Sequence, residues 1–533
     1  MKIFTKELLV ILFFLFLVFF LRLPSFFQSE LIPDESLYFF MAKNLVEGQF
    51  PYTTIWDNKP PGIYVIFSLG LLLLGKSVIS IRIIACFAVV VSCYLLYKIG
   101  KLISQNDPKV GILAGIFYAV LTIRNGGIAA NTEIFYTPFV IFAFYLLFSI
   151  LDKHDRQLRQ RYVKLFAIGL FLGIALQIKQ VVLFDFIAII LIIFLSFLRD
   201  NIYVKQNIIQ LIKSNILLIL GFILPFIIVL IYFALSGHFT DYFYANFTAN
   251  LARLSNNDSL FNTFIPGFLI QIKNNGILWL CLLLTPLHLL YNKQISSKEK
   301  RSIVYLVIWF SMAFIGVSSP RSFYVYYFLQ LIPSLSLISS HIIIKTVWAA
   351  KEIGIVGRVI ILALILVSQF AGNVYPYFKT SAANVYFRYV KGINNWGDGP
   401  AILADYLQGR VKQEDYIYVV DYTTIIYHLV PARIPTRYIF TEFLTRPQLS
   451  KVAGIDPIQE LNNIISKKPI YIIKLKESQL KDKNDNFYEE LNEYLKKYYT
   501  FEKDFVLPGD IFEEYISNDL AEVELYKLKS KTY

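Results

Sequence analysis

The chain has 533 residues, of which 56% are hydrophobic and 17% are charged, with a mean hydropathy of +0.54. This composition excludes soluble, disordered, collagenous and coiled-coil proteins and indicates that most of the chain lies in a lipid bilayer. A formal net charge of +13 would indicate nucleic-acid binding in a soluble protein, so the position of that charge along the chain matters.

The charge divides the chain near residue 372. Residues 1–372 carry 30 of the 51 bases and 16 of the 38 acids, whereas residues 373–533 carry 21 bases and 22 acids. Apolar runs of about 20 residues, the length that crosses a bilayer, recur before this boundary and stop after it. We therefore predict a transmembrane domain over residues 1–372 and a soluble domain over residues 373–533.

We predict eleven membrane crossings, at residues 8–23, 78–99, 109–123, 132–150, 164–178, 180–198, 214–235, 275–291, 302–317, 323–344 and 356–372. With the N-terminus in the cytoplasm, the inner loops hold 20 of the 30 bases, which satisfies the positive-inside bias. The net charge is thus an orientation signal, no nucleic-acid partner is expected, and the C-terminal domain is predicted to be extracytoplasmic. Three cysteines in apolar runs exclude a disulfide framework: Cys86, Cys93 and Cys281.

The first outer loop, residues 24–77, contains five of the nine acids predicted on the outer face. Apolar residues recur at three-to-four spacing after Pro33 and predict an amphipathic helix at the membrane surface. The apolar stretch 63–74 is too short to span and predicts an interfacial or re-entrant helix. Tyr52, Trp56 and Tyr64 are expected at the headgroup level.

Four charged residues of this loop each have a structural and a functional interpretation. Asp34 is either the N-cap of the predicted helix or a catalytic carboxylate. Glu35 either holds Asp34 in place or binds an acceptor. Asp57 either binds sugar hydroxyls or forms a salt bridge with Lys59, and Lys59 is either a snorkelling anchor or a cation for phosphate.

Charged residues also occur within the predicted spans. Arg82 either contacts phosphate or snorkels outward. Glu133, at the outer mouth of the fourth span, either faces a wet cavity or favours the helix dipole. Lys179 marks a tight turn between two spans, and Asp185 is predicted to pair with it.

The C-terminal region alternates between strand-like and helix-like segments. The predicted strands are 416–420, 470–473 and 523–526, and the predicted helices are 401–407, 458–465 and 488–497. This pattern indicates a small α/β domain. No glycine-rich phosphate loop follows these strands, which argues against nucleotide binding.

The first outer loop resembles that of the glycosyltransferase family 39 membrane enzymes, which include protein O-mannosyltransferases and lipid A aminoarabinose transferases. The resemblance rests on Asp34-Glu35, Tyr38, Ala42-Lys43-Asn44, Gly48, Pro51-Tyr52 and Asp57-Asn58-Lys59-Pro60-Pro61-Gly62. Later matches are Arg82, Glu133, Ile178-Lys179-Gln180, Pro320-Arg321 and the segment from Tyr326 to Gln330. The family often has a histidine where this chain has Tyr324 to Tyr327, so no histidine role is carried over.

The resemblance implies a mainly α, polytopic GT-C fold with a small C-terminal α/β domain. It implies that Asp34 acts as general base on the acceptor hydroxyl, with inversion at the sugar carbon. Lys59 and Arg321 are expected to neutralise the departing phosphate. The full set of expected substrate-binding residues is Glu35, Tyr38, Asp57, Lys59, Arg82, Glu133, Arg321, Tyr324 and Gln330. A divalent ion held by Asp34, Glu35 and Glu133 is a further hypothesis.

The predicted function is sugar transfer from a polyprenyl-phosphate donor to a glycan, lipid or protein acceptor on the outer face of a bacterial plasma membrane. This activity would serve lipopolysaccharide or protein glycosylation in the cell envelope. One alternative is a transporter or flippase of lipid-linked sugars, although the repeated halves typical of transporters are absent from the sequence. Another is a glycan polymerase or ligase that uses a lipid diphosphate donor.

Overall fold

The computed structural model describes residues 2–124, 126–152, 158–199, 205–254, 260–348, 353–393, 395–480, 482–508 and 520–529. Its helices up to residue 373 are α1 (Lys2–Arg22), α2 (Pro33–Val46), α3 (Gly62–Leu74), α4 (Val78–Ile103), α5 (Pro108–Leu121), α6 (Thr132–Asp152), α7 (Leu158–Leu176), α8 (Val182–Arg199), α9 (Lys205–Leu235), α10 (Phe239–Phe243), α11 (Ala249–Leu254), α12 (Leu260–Tyr291), α13 (Ser297–Ser318), α14 (Ile332–Val347) and α15 (Ile355–Asn373). A 3₁₀ segment, Val325–Leu331, precedes α14.

The C-terminal region combines short helices with one sheet. Its helices are α16 (Tyr375–Val385), α17 (Gly399–Leu407), α18 (Ile426–Leu429), α19 (Glu442–Thr445), α20 (Pro447–Ala453), α21 (Pro457–Ser466) and α22 (Asp485–Tyr498). Its strands are β1 (Ile417–Val420), β2 (Tyr471–Leu475), β3 (Tyr499–Pro508) and β4 (Leu520–Leu528). The strand order is β1-β2-β4-β3, in which β1 and β2 are parallel and the other pairs are antiparallel.

The predicted fold class is confirmed, since the chain is mainly helical with a small sheet near its C-terminus. Each of the eleven predicted crossings coincides mainly with helix. Within the described ranges, nine helices are long and apolar enough to cross a membrane. The other two are α5, which has only 14 residues, and α7, which carries Arg159, Arg161 and Lys164. The protein is therefore a multi-pass membrane protein.

The structure contains two compact units, each discontinuous in sequence. Unit 1 comprises Met1–Leu23, Arg82–Tyr232 and Asp258–Pro376, and unit 2 comprises Pro24–Ile81, Phe233–Asn257 and Tyr377–Tyr533. The domain boundary expected at residue 372 stays a prediction. The first outer loop belongs to the same compact unit as the C-terminal sheet.

Unit 1 is a bundle of packed helices. Gly111 of α5 approaches α4 so closely that a Cβ atom there would clash with the carbonyl oxygen of Tyr97. Arg22 ends α1, and its side chain is buried with only 1% exposed. Its guanidinium donates hydrogen bonds to the carbonyl oxygens of Thr122, Gly127 and Ile128 at 2.6–3.3 Å. These bonds satisfy a buried cation and fix the turn that follows α5.

Unit 2 is built around one hydrophobic core that includes residues from distant parts of the sequence. Tyr418 and Ile472 from the sheet and Leu491 from α22 are buried there together with Trp56 and Ala249. The expectation that Tyr52, Trp56 and Tyr64 contact lipid headgroups is wrong, since all three are at most 3% exposed. Their apolar area is buried in protein instead.

Candidate active site

Asp34 lies in the first turn of α2, in unit 2. The helix begins at Pro33, whose fixed φ suits the first helical position, and its N-cap is Ile32, which makes no side-chain cap. The interpretation of Asp34 as an N-cap is therefore wrong. Its side chain is partly exposed, and no hydrogen bond or ion pair joins its carboxylate to another residue in the described part of the chain.

Asp57 has the opposite environment. Its carboxylate is 1% exposed and accepts hydrogen bonds from the Asn58 backbone N–H at 2.7 Å and the Tyr64 hydroxyl at 2.8 Å. Burial raises the pKa of Asp57, the positive charge of Lys59 opposes this rise, and the negative charge of Asp34 adds to it. The salt bridge between Asp57 and Lys59 and the binding of sugar hydroxyls by Asp57 both stay predictions.

Lys59 is half-buried, and its loop is anchored on several sides. Its ammonium group donates to the Asn58 side-chain oxygen at 3.3 Å, and its carbonyl oxygen accepts from the Tyr52 hydroxyl at 2.7 Å and the Tyr64 hydroxyl at 3.3 Å. The side-chain amide of Asn250, in α11, donates to the Asn58 carbonyl at 3.1 Å. The Lys59 backbone is thus held rigidly, which suits a fixed cation.

Glu35 and Tyr38 point into the protein. Both side chains are 0% exposed. The Tyr38 ring packs 6.2 Å from Tyr64 and 5.9 Å from Phe67, which joins α2 to α3. Burial raises the pKa of the neighbouring Glu30 to about 7, and the charge of Glu35 adds to this rise. The substrate-binding roles of Glu35 and Tyr38 stay predictions.

A third carboxylate near Asp34 comes from the C-terminal region and was missed from the sequence. Glu442 begins α19 and forms an ion pair with Arg446 at 3.0 Å. Burial raises the pKa of Glu442 to about 6; Arg446 lowers it, and the charges of Asp421 and Asp34 raise it further. Asp34 therefore acts electrostatically on both Asp57 and Glu442.

Asp421 fixes the region that carries Glu442. It follows β1 directly with a φ of 51°, and its carboxylate accepts hydrogen bonds from the hydroxyls of Tyr488 and of Thr445, the latter at 2.6 Å. The pKa of Asp421 is raised by burial. The one sequence signal for this group is an acid at the carboxyl end of a predicted strand, where α/β folds often place functional residues.

Glu133 and Lys179 form a buried ion pair in unit 1. Their side chains are 1% and 8% exposed, and Thr132 also donates to the Glu133 carboxylate at 2.8 Å. The Lys179 ammonium lies 4.3 Å from the centre of the Tyr327 ring and 5.4 Å from that of Tyr326. Lys179 is thus held by one carboxylate and two aromatic rings, and the binding of substrate by Glu133 stays a prediction.

Asp185 does not pair with Lys179, so that prediction is wrong. Its two carboxylate oxygens accept hydrogen bonds from the Trp309 indole N–H and from the Gln330 side-chain amide, each at 2.8 Å. The Gln330 amide also donates to the Val181 carbonyl at 3.4 Å. Gln330 is therefore engaged in a buried network, and its binding of substrate stays a prediction.

Arg321 lies in a loop with unusual backbone geometry. Arg321 and Phe323 have φ values of 58° and 43°, which are rare for residues with side chains and often mark functional sites. The Arg321 side chain is exposed, and its carbonyl accepts from the Thr263 hydroxyl at 2.9 Å. Tyr324 is 37% exposed and stacks on Tyr326 with ring centres 5.6 Å apart.

Arg82 is 2% exposed in the first turns of α4. It therefore does not snorkel into solvent, and its contact with phosphate stays a prediction.

The residues that the structure describes contain no group of three His, Cys, Asp or Glu side chains that could hold a metal ion. The proposed ligands Asp34 and Glu35 differ in exposure, since one is partly exposed and the other is buried. The divalent ion stays a hypothesis, and no chemical step is assigned to it.

Known proteins resemble this chain in part of its sequence and in its fold. Residues 58–229 match the family model described as dolichyl-phosphate-mannose-protein mannosyltransferase. The fold matches ArnT from Cupriavidus metallidurans bound to undecaprenyl phosphate, with a TM-score of 0.59 and 14% identity over 99% of each chain. No curated protein matches the chain by sequence.

Two archaeal structures are also similar. The Archaeoglobus fulgidus oligosaccharyltransferase in its apo form has a TM-score of 0.54 and 13% identity over 93% of this chain and 73% of that one. AglB from the same organism, in complex with an inhibitory peptide and a dolichol-phosphate, has a TM-score of 0.51 and 13% identity over 93% and 72%. The resemblance to the GT-C membrane glycosyltransferases is thereby confirmed, and the chain has their fold.

Proposed function

We propose that this protein transfers a sugar from a polyprenyl-phosphate donor to an acceptor hydroxyl on the outer face of the membrane. The proposal rests on the Asp34 carboxylate, which is partly exposed and has no hydrogen-bond or ion-pair partner in the described part of the chain. Its negative charge adds to the rise of the Asp57 pKa that burial causes. It is supported by the similar fold of ArnT bound to undecaprenyl phosphate and of AglB with a dolichol-phosphate.

The reaction is a single displacement. The acceptor oxygen attacks the anomeric carbon as the bond between that carbon and the donor phosphate oxygen breaks, and the electron pair leaves with the phosphate. Asp34 takes the proton of the acceptor hydroxyl. Attack from the face opposite the leaving group inverts the configuration of the sugar carbon. General-base assistance of this kind contributes about 10²–10⁴-fold in rate.

Lys59 stabilises the negative charge that develops on the departing phosphate. Its backbone is held by Tyr52 and Tyr64, so little reorganisation is needed when the charge grows. Asp57 binds a sugar hydroxyl with the carboxylate that Tyr64 and the Asn58 N–H orient.

The C-terminal region is proposed to lie outside the cytoplasm, because the first outer loop belongs to the same compact unit. A reporter fused after Tyr533 tests this location. A cytoplasmic reporter would contradict the eleven-crossing topology and the outer-face reaction together.

The activity is tested in proteoliposomes with a panel of purified polyprenyl-phosphate sugars and membrane extract as acceptor. Wild type should transfer label from at least one donor, whereas Asp34→Asn should be slower by about 10²–10⁴-fold. Asp241→Asn is the matched control, since Asp241 is also a partly exposed acid of a predicted outer loop, and it should keep the wild-type rate. Full activity of Asp34→Asn would remove Asp34 as base, and movement of lipid-linked sugar without transfer would favour a flippase.

A further inference from the structure

A groove lies between helices α12 and α13 in unit 1, outside the candidate active site. Its volume is about 370 Å³, which is within the range of roughly 300–1,000 Å³ that ligand pockets occupy. Both helices are long and apolar enough to cross the membrane. The groove is lined chiefly by Leu282, Pro286, Leu289, Val304, Val307 and Phe310.

The groove is bridged at one end and exposed along its length. Helix α14 packs against both α12 and α13. The Trp279 ring of α12 lies 5.7 Å from the Phe310 ring of α13, centre to centre, and joins the two helices at that end. Farther along, Leu287 and Val304 are about half-exposed, at 52% and 43%. In a membrane-spanning bundle, such exposed apolar side chains face lipid chains, so a lipid can enter the groove from the side.

The groove has the depth of one leaflet. Lys300, Val304, Val307 and Ser311 follow one another at spacings of four, three and four residues, so they share one face of α13. The rise from Lys300 to Ser311 is about 16 Å along the helix. Half of a bilayer hydrocarbon core is about 15 Å thick. Lys300 therefore lies at headgroup level when Ser311 lies near the middle of the bilayer.

The segment 292–301, at the Lys300 end of the groove, is rich in positive charge. It contains four bases and one acid. The acid, Glu299, is buried and forms an ion pair with Lys345 at 2.8 Å. One of the bases, Lys298, is paired with Asp152. The excess positive charge thus resides on the other three bases.

These three bases are Lys293, Lys300 and Arg301, and none of them forms an ion pair with a residue in the described ranges. Lys293 follows the end of α12, four residues after Leu289 of the groove wall. Lys300 lies on the groove face of α13. Cations from both walls therefore flank the mouth of an apolar groove, and this combination complements a lipid with a negative headgroup.

We propose that the groove between α12 and α13 binds an anionic phospholipid, with an acyl chain between the two helices and the phosphate at Lys293 and Lys300. The topology predicted from the charge pattern places this lipid in the cytoplasmic leaflet, opposite the face where sugar transfer is proposed. The bound chain supplies apolar contacts between α12 and α13, and the headgroup offsets the repulsion between the cations. The inference does not depend on the sugar-transfer activity.

The test is the binding of defined lipids to the full chain in detergent, measured by native mass spectrometry. The probes are dioleoyl phosphatidylglycerol and dioleoyl phosphatidylcholine, which have the same chains and differ in headgroup charge. Phosphatidylglycerol should bind more tightly by about 10-fold or more. Equal binding of the two lipids would mean that the surface collects lipids without selection, as snorkelling lysines do, and would overturn the inference.

Charge variants locate the headgroup. Lys300→Gln should weaken the binding of phosphatidylglycerol by about 5-fold, and Lys293→Gln with Lys300→Gln by about 25-fold. Lys213→Gln is the matched control, since Lys213 is an exposed lysine of another predicted inner loop, and it should bind like wild type. A preference for phosphatidylglycerol that is undiminished in the double variant would place the lipid elsewhere and overturn the inference.

A groove-filling variant locates the acyl chain. Val307→Trp should abolish the selective binding, because the indole occupies the space of the chain. Val367→Trp, at an exposed position of α15, is the matched control and should leave binding unchanged. If Val307→Trp does not fold, the charge variants decide the question alone.

A polyprenyl phosphate is the competing occupant. Its displacement of phosphatidylglycerol from wild type would assign the groove to the sugar donor and overturn the inference, whereas phosphatidylglycerol that stays bound supports it. Sugar transfer does not enter any of these measurements. Failure of the lipid site would therefore leave the proposed function intact, and inactivity of the enzyme would leave the lipid site intact.

Discussion

The carboxylates of Asp34 in unit 2 and Glu133 in unit 1 have opposite environments. Asp34 is partly exposed and forms no ion pair with a described residue, whereas Glu133 is 1% exposed and paired with Lys179. A carboxylate without a partner can take up and release a proton during a reaction. In a buried pair each charge stabilises the other, and removal of one partner leaves the other charge buried and uncompensated. Both acids match the same family pattern, but we expect substitution of Asp34 to reduce the transfer rate and substitution of Glu133 to reduce stability.

The largest expected effect is on catalysis. Asp34→Asn should reduce the transfer rate by about 10²–10⁴-fold while the thermal unfolding midpoint in detergent stays close to that of wild type, since no hydrogen bond to a described residue is lost. Rate and midpoint are measured on the same preparation. A large fall in the midpoint would mean that Asp34 has a structural role and would erase the contrast with Glu133.

The next effect is on stability. Glu133→Gln should destabilise the protein by about 3–5 kcal/mol, because it leaves the Lys179 ammonium buried beside Tyr327 without its counter-charge. The double variant Glu133→Gln with Lys179→Met should recover most of that loss. Unfolding in detergent measures both. If the double variant is no more stable than Glu133→Gln, the uncompensated charge of Lys179 does not cause the loss of stability.

A smaller effect is expected at the anchor of the Lys59 loop. Asn250→Ala removes the amide that donates to the Asn58 carbonyl at 3.1 Å, and it should cost about 1 kcal/mol of stability. The KM for the donor should rise more than kcat falls, because Lys59 is then held less rigidly. The control is Asn292→Ala, at a partly exposed position between α12 and α13 of unit 1, which should leave KM unchanged. An equal KM in the Asn250 variant and wild type would show that this anchor does not position Lys59.

The smallest effect concerns the pH dependence of stability at Glu442. Its folded-state pKa of about 6 lies above its ordinary value, so the folded protein binds an extra proton between those two values and loses stability as the pH rises through them. Glu442→Gln should therefore raise the unfolding midpoint at about pH 7.5 relative to wild type and have little effect near pH 4. An unchanged difference across this range would contradict the raised pKa.

Much of the fold could be predicted from the sequence because its signals are local. The apolar runs predict the helices, and short apolar segments predict β1, β2 and β4. Strand β3 was missed because charged residues interrupt the apolar pattern of Tyr499–Pro508. One interpretation made Asp34 the N-cap of α2, but the helix already begins at Pro33, which suits the first helical position.

The candidate site was only partly predictable, because its neighbours are distant in sequence. Asp34, Asp57 and Lys59 share one loop with a recognisable motif. Glu442 lies in the C-terminal region, far from that loop in sequence, and nothing in its local sequence marks it. The partner of Lys179 was misassigned for the same reason, since proximity in sequence favoured Asp185 over Glu133.

The shared core of unit 2 has a consequence for biogenesis. Trp56 is made early, but Tyr438 and Phe443, whose rings pack against it, are synthesised more than 380 residues later. Until they arrive, the loop that carries Asp57 and Lys59 lacks its packing partners and exposes an aromatic surface to chaperones and proteases. Completion of translation therefore sets the time at which this loop is ordered, and a nascent chain interrupted before residue 438 should be inactive on the ribosome.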